Sequence, residues 1–282
     1  MNNEKAKEVK RRLKQLAAEE SQYHINELRV IVALERAIAR IEQYKDLKNN
    51  IIFKGGFVLL KIAGSARFTR DADALAINID KEKLKDIVCE ALAQDIDDGL
   101  WFGDINVEDL QDQSEYGSYR FNCAYQIGEP DMNKIHKLSR VHIDVGFSDK
   151  LKTIPAKDIM PSLIQHEMPV SWRVYPIEYI FAEKLQTLFD RGSTNSRAND
   201  IYDIVYLKFQ SMDEQKLMQA IGETFNNRNT YMPNSFSDEI KSLDTTFLRA
   251  AWPGIRVIGN KVDFEDVWKG LIKVLQDIDA LK

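Results

Sequence analysis

Residues 51–73 decide the reading of this chain: Ile51-Ile52-Phe53-Lys54-Gly55-Gly56-Phe57-Val58-Leu59-Leu60-Lys61-Ile62-Ala63-Gly64-Ser65-Ala66-Arg67-Phe68-Thr69-Arg70-Asp71-Ala72-Asp73. Ile51-Ile52-Phe53 is an apolar run of strand length, and it ends in a glycine pair. Phe57 to Ile62 has helical spacing, and Ala63-Gly64-Ser65 stops it. Asp71 to Ile79 reads as a second strand. Gly55 and Gly56 therefore fall at a strand–helix junction. There the backbone can approach a phosphate, and the helix N-terminus offers unpaired N–H groups. Asp71 and Asp73 stand two apart on a strand and project to one face. Two like charges forced together require a cation between them, and oxygen-only ligands suit magnesium.

On the N-terminal side, residues 3–20 read as a polar helix and 25–47 as a stronger one, with Leu28, Ile31, Leu34, Ile38 and Ile41 at helical spacing. On the other side a helix is expected from about Lys81 to Gln94. Tyr119–Ile127 and Val141–Phe147 alternate apolar with polar or small residues, as half-buried strands do. Asp144 lies on the polar side of the latter strand, where it can add a third carboxylate to a two-metal site. His142 shares that side. From Pro176 onward the pattern is helical, over about 176–190, 197–209, 213–226, 237–250 and 263–281. Pro155, Pro161 and Pro169 mark the connection. The expected architecture is α+β: N-terminal helices over 1–48, an α/β core over 49–170 and an all-helical region over 171–282.

Composition limits the alternatives. The 282 residues are 44% hydrophobic and 29% charged, the balance of a globular protein. No apolar run approaches the roughly 20 residues of a membrane helix, and the basic N-terminus lacks the apolar stretch of a secretory signal. Cys89 and Cys123 are the only cysteines, and the four histidines show no zinc-like spacing. A reduced cytoplasmic protein without membrane attachment is expected. A net charge of −5 excludes a surface coated in basic charge for nonspecific nucleic-acid binding. The basic run from Lys5 to Lys14 is read as a solvated helix face, and segment 80–115 is acidic.

Two further groups of charges bear on chemistry. Lys184 falls on an apolar stripe made by Ile177, Ile180, Phe181, Leu185 and Leu188. Its ammonium either snorkels at the edge of the stripe or meets a triphosphate in a cleft, with Arg191 seven residues on. Arg197, Asp200 and Asp203 follow at three-residue spacing on one helix side, which a surface ion pair explains almost as well.

Taken in order, Lys54-Gly55-Gly56, Arg67-Phe68-Thr69-Arg70-Asp71-Ala72-Asp73, Ile143-Asp144, Glu183-Lys184 and Arg197-Ala198-Asn199-Asp200-Ile201-Tyr202-Asp203 resemble the AbiEii/AbiGii toxin family of nucleotidyltransferases, in the polymerase-beta-like superfamily. The resemblance spans about residues 50 to 208. It implies a nucleotidyltransferase-type mixed sheet flanked by helices. It also implies transfer of a nucleoside monophosphate from a nucleoside triphosphate to a transfer RNA or protein acceptor, with two Mg2+ ions, and a cognate antitoxin as partner. The metal ligands implied are Asp71, Asp73 and Asp144. The nucleotide would meet Gly55, Gly56, Arg67, Thr69, Lys184, Arg191, Arg197 and Asp200. Asp71, Asp73, Asp144 and Lys184 form the catalytic set, Asp144 aiding the second metal or serving as base. Thr69 stands where the family commonly has serine, and Asn199 where a basic residue is frequent. The other readings are a small-molecule nucleotidyltransferase of the antibiotic-modifying type and a non-catalytic nucleotide-binding module.

Overall fold

The apolar run at Ile51 forms the edge of a five-stranded sheet. The computed structural model describes residues 1–19, 23–110, 117–147, 153–164, 169–208 and 212–282. They group into two units, Met1–Ile62 with Phe68–Val174, and Ala63–Arg67 with Tyr175–Lys282. The expected helix ends at 20 and 209 lie outside the described residues, as does His166.

In the first unit, α1 (Asn3–Ala18) and α2 (Ile25–Gln43) lead into β1 (Ile51–Lys54) and the short helix α3 (Gly55–Ile62). There follow β2 (Asp71–Ala76), α4 (Lys81–Ala93), β3 (Leu100–Asp109), β4 (Ser118–Ile127) and β5 (Arg140–Gly146). Two three-residue strands, β6 (Lys157–Ile159) and β7 (Ser171–Arg173), pair antiparallel. The main sheet has the order β1-β2-β5-β4-β3. It is mixed: β2 and β5 run parallel and every other neighbouring pair antiparallel.

α2 is buried on almost every side, which its dense Val, Ile, Leu and Ala content permits. Its polar exceptions are paired. All five N–H groups of buried Arg40 have acceptors: Asp98, the carbonyls of Arg36, Gln94 and Leu100, and Asp98 again. Arg36 Nε adds a third bond to Asp98 at 2.9 Å. Burial alone would raise the Asp98 carboxyl, but Arg40 and Arg36 outweigh it and hold it below the usual carboxylate range. Buried Glu35 is likewise satisfied by Lys61, the Ser162 hydroxyl and the Leu163 N–H. Charges this deep remain tolerable only because each is paired.

The second unit is helical: α5 (Ile177–Arg191), α6 (Ala198–Lys208), α7 (Glu214–Asn227), α8 (Phe236–Lys241), α9 (Thr246–Ala251) and α10 (Phe264–Asp279). α5 packs on α6 and α7, and α10 packs on α6 and α8. Phe189, Phe225 and Phe236 meet ring to ring at 5.3–6.4 Å. The segment from Ala63 joins this unit through the Tyr206 hydroxyl, which donates to the Ala63 carbonyl, and the Ile258 N–H, which donates to the Ala66 carbonyl at 2.7 Å.

Four local expectations change. β3 lies inside the segment read as acidic. Its inner side starts at buried Leu100 and Phe102, then shifts phase to half-buried Ile105 and Val107 across a bulge at Asp104, whose φ is 45°. One inserted residue hides the period-two signal. β6 and β7 are too short to show a period. The single helix expected over 237–250 is two, because Asp244 accepts from the Thr246 N–H and starts α9 afresh. α3 begins at Gly55 itself rather than at Phe57.

Candidate active site

Gly55 closes β1 with φ +75°, a region costly for any residue with a Cβ. A Cβ there would stand 1.9 Å from Asp73 Oδ2. The glycine is therefore required twice over, by its backbone and by the carboxylate lying against it. Gly56 is buried in the first turn of α3. Asp71 and Asp73 sit half-buried on one face of β2, while Ala72 and Ala74 face the core.

Thr69 is buried, and its hydroxyl donates to Asp71 Oδ1. This bond orients the Asp71 carboxylate. Register brings the third carboxylate alongside, since Asp73 is opposite Asp144 and Asp71 opposite His142 across the parallel pair. Asp144, however, is engaged. Arg120 of β4 donates from Nε to Asp144 Oδ1 at 2.9 Å and from Nη2 to Oδ2 at 2.6 Å. These bonds raise the Arg120 pKa further against burial, with Asp71 and Glu108 adding to the rise. Arg120 was not among the expected site residues. The alternation Tyr119-Arg120-Phe121 could have placed it on the polar side, but its pairing with Asp144 depends on register, which no local pattern reveals.

Asp71 and Asp73 fit a magnesium ion. They are two oxygen donors on one face, one oriented by Thr69 and the other packed against a bare glycine, and Mg2+ is commonly held by one or two carboxylates plus substrate phosphates. Asp144 accepts one Arg120 bond on each of its oxygens. Among the described residues, no group of three or more His, Cys, Asp or Glu is placed to hold a metal.

The remaining expected residues belong to the second unit. Lys184 neither snorkels nor stands free in a cleft: it is buried, with Nζ 2.8 Å from Asp200 and 2.9 Å from Asp203. Arg67 donates from Nε and Nη2 to the two oxygens of Asp203, both at 2.8 Å. Arg197 Nε meets Asp200 Oδ2 at 2.5 Å. The result is a buried chain, Arg67–Asp203–Lys184–Asp200–Arg197, with a half-exposed cation at its far end. Burial would raise the Asp200 carboxyl, yet Lys184 and Arg197 hold it far below its ordinary value. Burial likewise lowers the Lys184 ammonium, and Asp200 and Asp203 more than reverse that. Asp203 and Arg67 make Lys184 part of a network rather than a lone lysine. Arg191 is exposed at the end of α5. Asn195 Oδ1 accepts from the Arg197 N–H, and a cleft of about 220 Å³ at the start of α6 is lined by Ser196, Ala198, Asn199, Ala251, Gly254 and Ile255.

The mixed sheet thus presents two aspartates of one strand beside a third on its parallel neighbour, after a helix opened by Gly55. The chain belongs to the family described as nucleotidyl transferase AbiEii toxin, type IV toxin–antitoxin system, whose model matches residues 36–273. It is an enzyme of the nucleotidyltransferase group. Two solved structures are similar in fold. JHP933 from Helicobacter pylori has a TM-score of 0.52 and 18% identity over 88% of this chain and 89% of its own. A candidate nucleotidyltransferase from H. pylori has a TM-score of 0.53 and 18% identity over 88% of this chain and 92% of its own. No curated protein is significantly similar to the chain. Among the described residues no helix is long and apolar enough to cross a membrane.

Proposed function

We propose that this protein transfers a nucleoside monophosphate from a nucleoside triphosphate to a transfer RNA or protein acceptor, as the toxin of a toxin–antitoxin or phage-defence system. The observation that carries the reading is the setting of Asp71 and Asp73: two half-buried carboxylates on one strand face, with Gly55 bare against Asp73 and Thr69 fixing Asp71. These two aspartates would hold Mg2+, which when bound supplies positive charge to the triphosphate oxygens. The triphosphate would pass over Gly55 and Gly56, which carry no side chain of their own. Thr69 keeps Asp71 from rotating away. In the second unit Lys184 fixes Asp200, and Asp200 fixes Arg197. Group transfer of this kind depends on positioning and charge more than on covalent help from the protein. A cytoplasmic location is part of this reading.

The test is incubation of the purified protein with each labelled nucleoside triphosphate and total cellular RNA or protein. The wild-type chain should label one acceptor class. Asp71→Asn and Asp73→Asn should each lower transfer by about 100-fold or more, with melting temperatures unchanged or raised, since each removes one of two like charges. In a growing host, wild-type expression should slow growth and Asp73→Asn should not. Transfer at the wild-type rate in either variant would exclude these ligands.

A further inference from the structure

The residue before the glycine turn is a lysine, and register places it on the acidic face. Lys54 ends β1 opposite Asp73 on β2, and directly opposed residues of an antiparallel pair share a face of the sheet. Ile51, Ile52 and Phe53 before it are at most 1% exposed, whereas Lys54 is half-buried, so β1 leaves the core at this residue. Gly55 and α3 follow at once. The Asp73 carboxylate lies toward the same turn, since its Oδ2 is the atom that a Cβ on Gly55 would meet. The neighbouring Asp144 carboxylate is instead engaged by Arg120 on β4. Lys54, Gly55 and Asp73 thus come together at the start of α3. Neither Lys54 nor Asp73 is without a partner in the folded chain.

A lysine is an unfavourable neighbour for the start of a helix. The unpaired N–H groups there carry partial positive charge, which favours an acidic residue and not a basic one. α2, α4 and α7 follow that rule with Glu27, Glu82 and Glu214, but α3 has no acidic residue in its first turn. Negative charge at this end of α3 is supplied from β2, by Asp73. A divalent cation on Asp73 would cancel that charge and leave ammonium, helix end and metal as like charges. An anion restores the balance, and a triphosphate crossing Gly55 is one. An ammonium suits the exchange: it is a compact point charge with three donors on a flexible stem, free of the fork geometry that a guanidinium imposes. We infer that Lys54 is a nucleotide-binding residue, whose ammonium contacts a phosphate oxygen of the triphosphate once a cation occupies Asp73. The inference rests on the reading of Asp71 and Asp73 as the cation ligands.

The experiment compares two titrations of the full-length protein. One uses Mn2+ alone, read by the electron paramagnetic resonance signal of the free ion. The other uses tripolyphosphate in excess Mg2+, read by calorimetry, because tripolyphosphate is the phosphate chain without base or sugar. Lys54→Met keeps the apolar stem and removes the charge. It should weaken tripolyphosphate binding by roughly 10- to 100-fold, the range of one hydrogen bond to a charged group. It should hold Mn2+ as tightly as wild type or more tightly, since a like charge near the cation is gone. Lys54→Arg keeps the charge and should recover most of the tripolyphosphate affinity. Unchanged tripolyphosphate affinity in Lys54→Met would overturn the inference. Weakened Mn2+ binding in that variant would overturn it too, because the lysine would then act only by holding Asp73 in place. If Lys54→Met fails to fold, Lys54→Gln is read in its place by the same two outcomes. Wild-type protein that binds neither probe would remove the Asp71–Asp73 ligand assignment itself. Wild-type binding that Lys54→Met leaves intact would remove the role of Lys54 alone.

Discussion

At Gly55 the requirements of the backbone and of the site coincide. The left-handed conformation costs an alanine about 1–2 kcal/mol, and the added Cβ would also meet Asp73 Oδ2 at 1.9 Å, so the carboxylate must move. Gly55→Ala should therefore lose stability of that order and lower transfer by about 100-fold, the effect expected when a reacting group is displaced by about an ångström. Gly222, inside α7, is the contrast: nothing lies within 4 Å of its added Cβ, so Gly222→Ala should stabilise by about 0.5–1 kcal/mol and leave transfer alone. Thermal melts and initial rates on both variants check this. Equal effects of the two substitutions would remove the special role of Gly55.

Between α5 and α6 a sequence reading and the folded chain part company over Lys184. A lysine on an apolar stripe suggested either a snorkelling ammonium, for which Lys184→Met is neutral, or a direct phosphate contact. The ammonium instead lies between Asp200 and Asp203. Lys184→Met should cost about 3–5 kcal/mol, because it leaves buried carboxylates short of a partner. Arg67 and Arg197 still hold one carboxylate each, which favours the lower end. Adding Asp200→Asn should recover part of the loss, a coupling that urea unfolding of the four proteins in the cycle would measure. Additive losses would mean that the two side chains do not share an interaction. Lys184, Asp200 and Asp203 were legible as residues because helical spacing is local. Their mutual partners were not, because Arg67 reaches Asp203 from 136 positions away. The same distinction holds in the sheet. Asp71, Asp73 and Asp144 could be placed on polar faces by alternation, whereas the Arg120–Asp144 fork and the bulge at Asp104 follow from register. The family motifs located the acidic face and the glycine pair, and the way each charge is neutralised emerged only from the folded chain.

Over the whole chain, the buried ion pairs set how stability varies with pH. Asp98 in the first unit and Asp200 in the second have carboxyls held below the ordinary value of about 3.9, in each case because arginine or lysine partners outweigh burial. A depressed carboxyl contributes stability that is present above its unfolded value and lost as pH falls through the folded one. Glu42 has the opposite sign: burial raises it despite Lys157, so its share is fully present below about pH 4 and fades as pH rises through the raised value. At the alkaline end Lys184 is raised by Asp200 and Asp203 after burial has lowered it, and Tyr179 is pushed up to about 12 by burial and Glu223. Both contribute fully below about pH 10 and lose their contribution as pH climbs through the raised values. The urea midpoint should therefore decline a little as pH rises through the raised Glu42 value, and should fall more steeply below about pH 4 and again above about pH 10. Asp98→Asn and Asp200→Asn should each lower the midpoint near neutral pH and make the acid limb shallower, since the group that must be protonated is gone. Urea midpoints collected from pH 2 to 11 on the three proteins would test the assignment. Acid limbs of equal steepness in all three would place the acid sensitivity in other carboxylates.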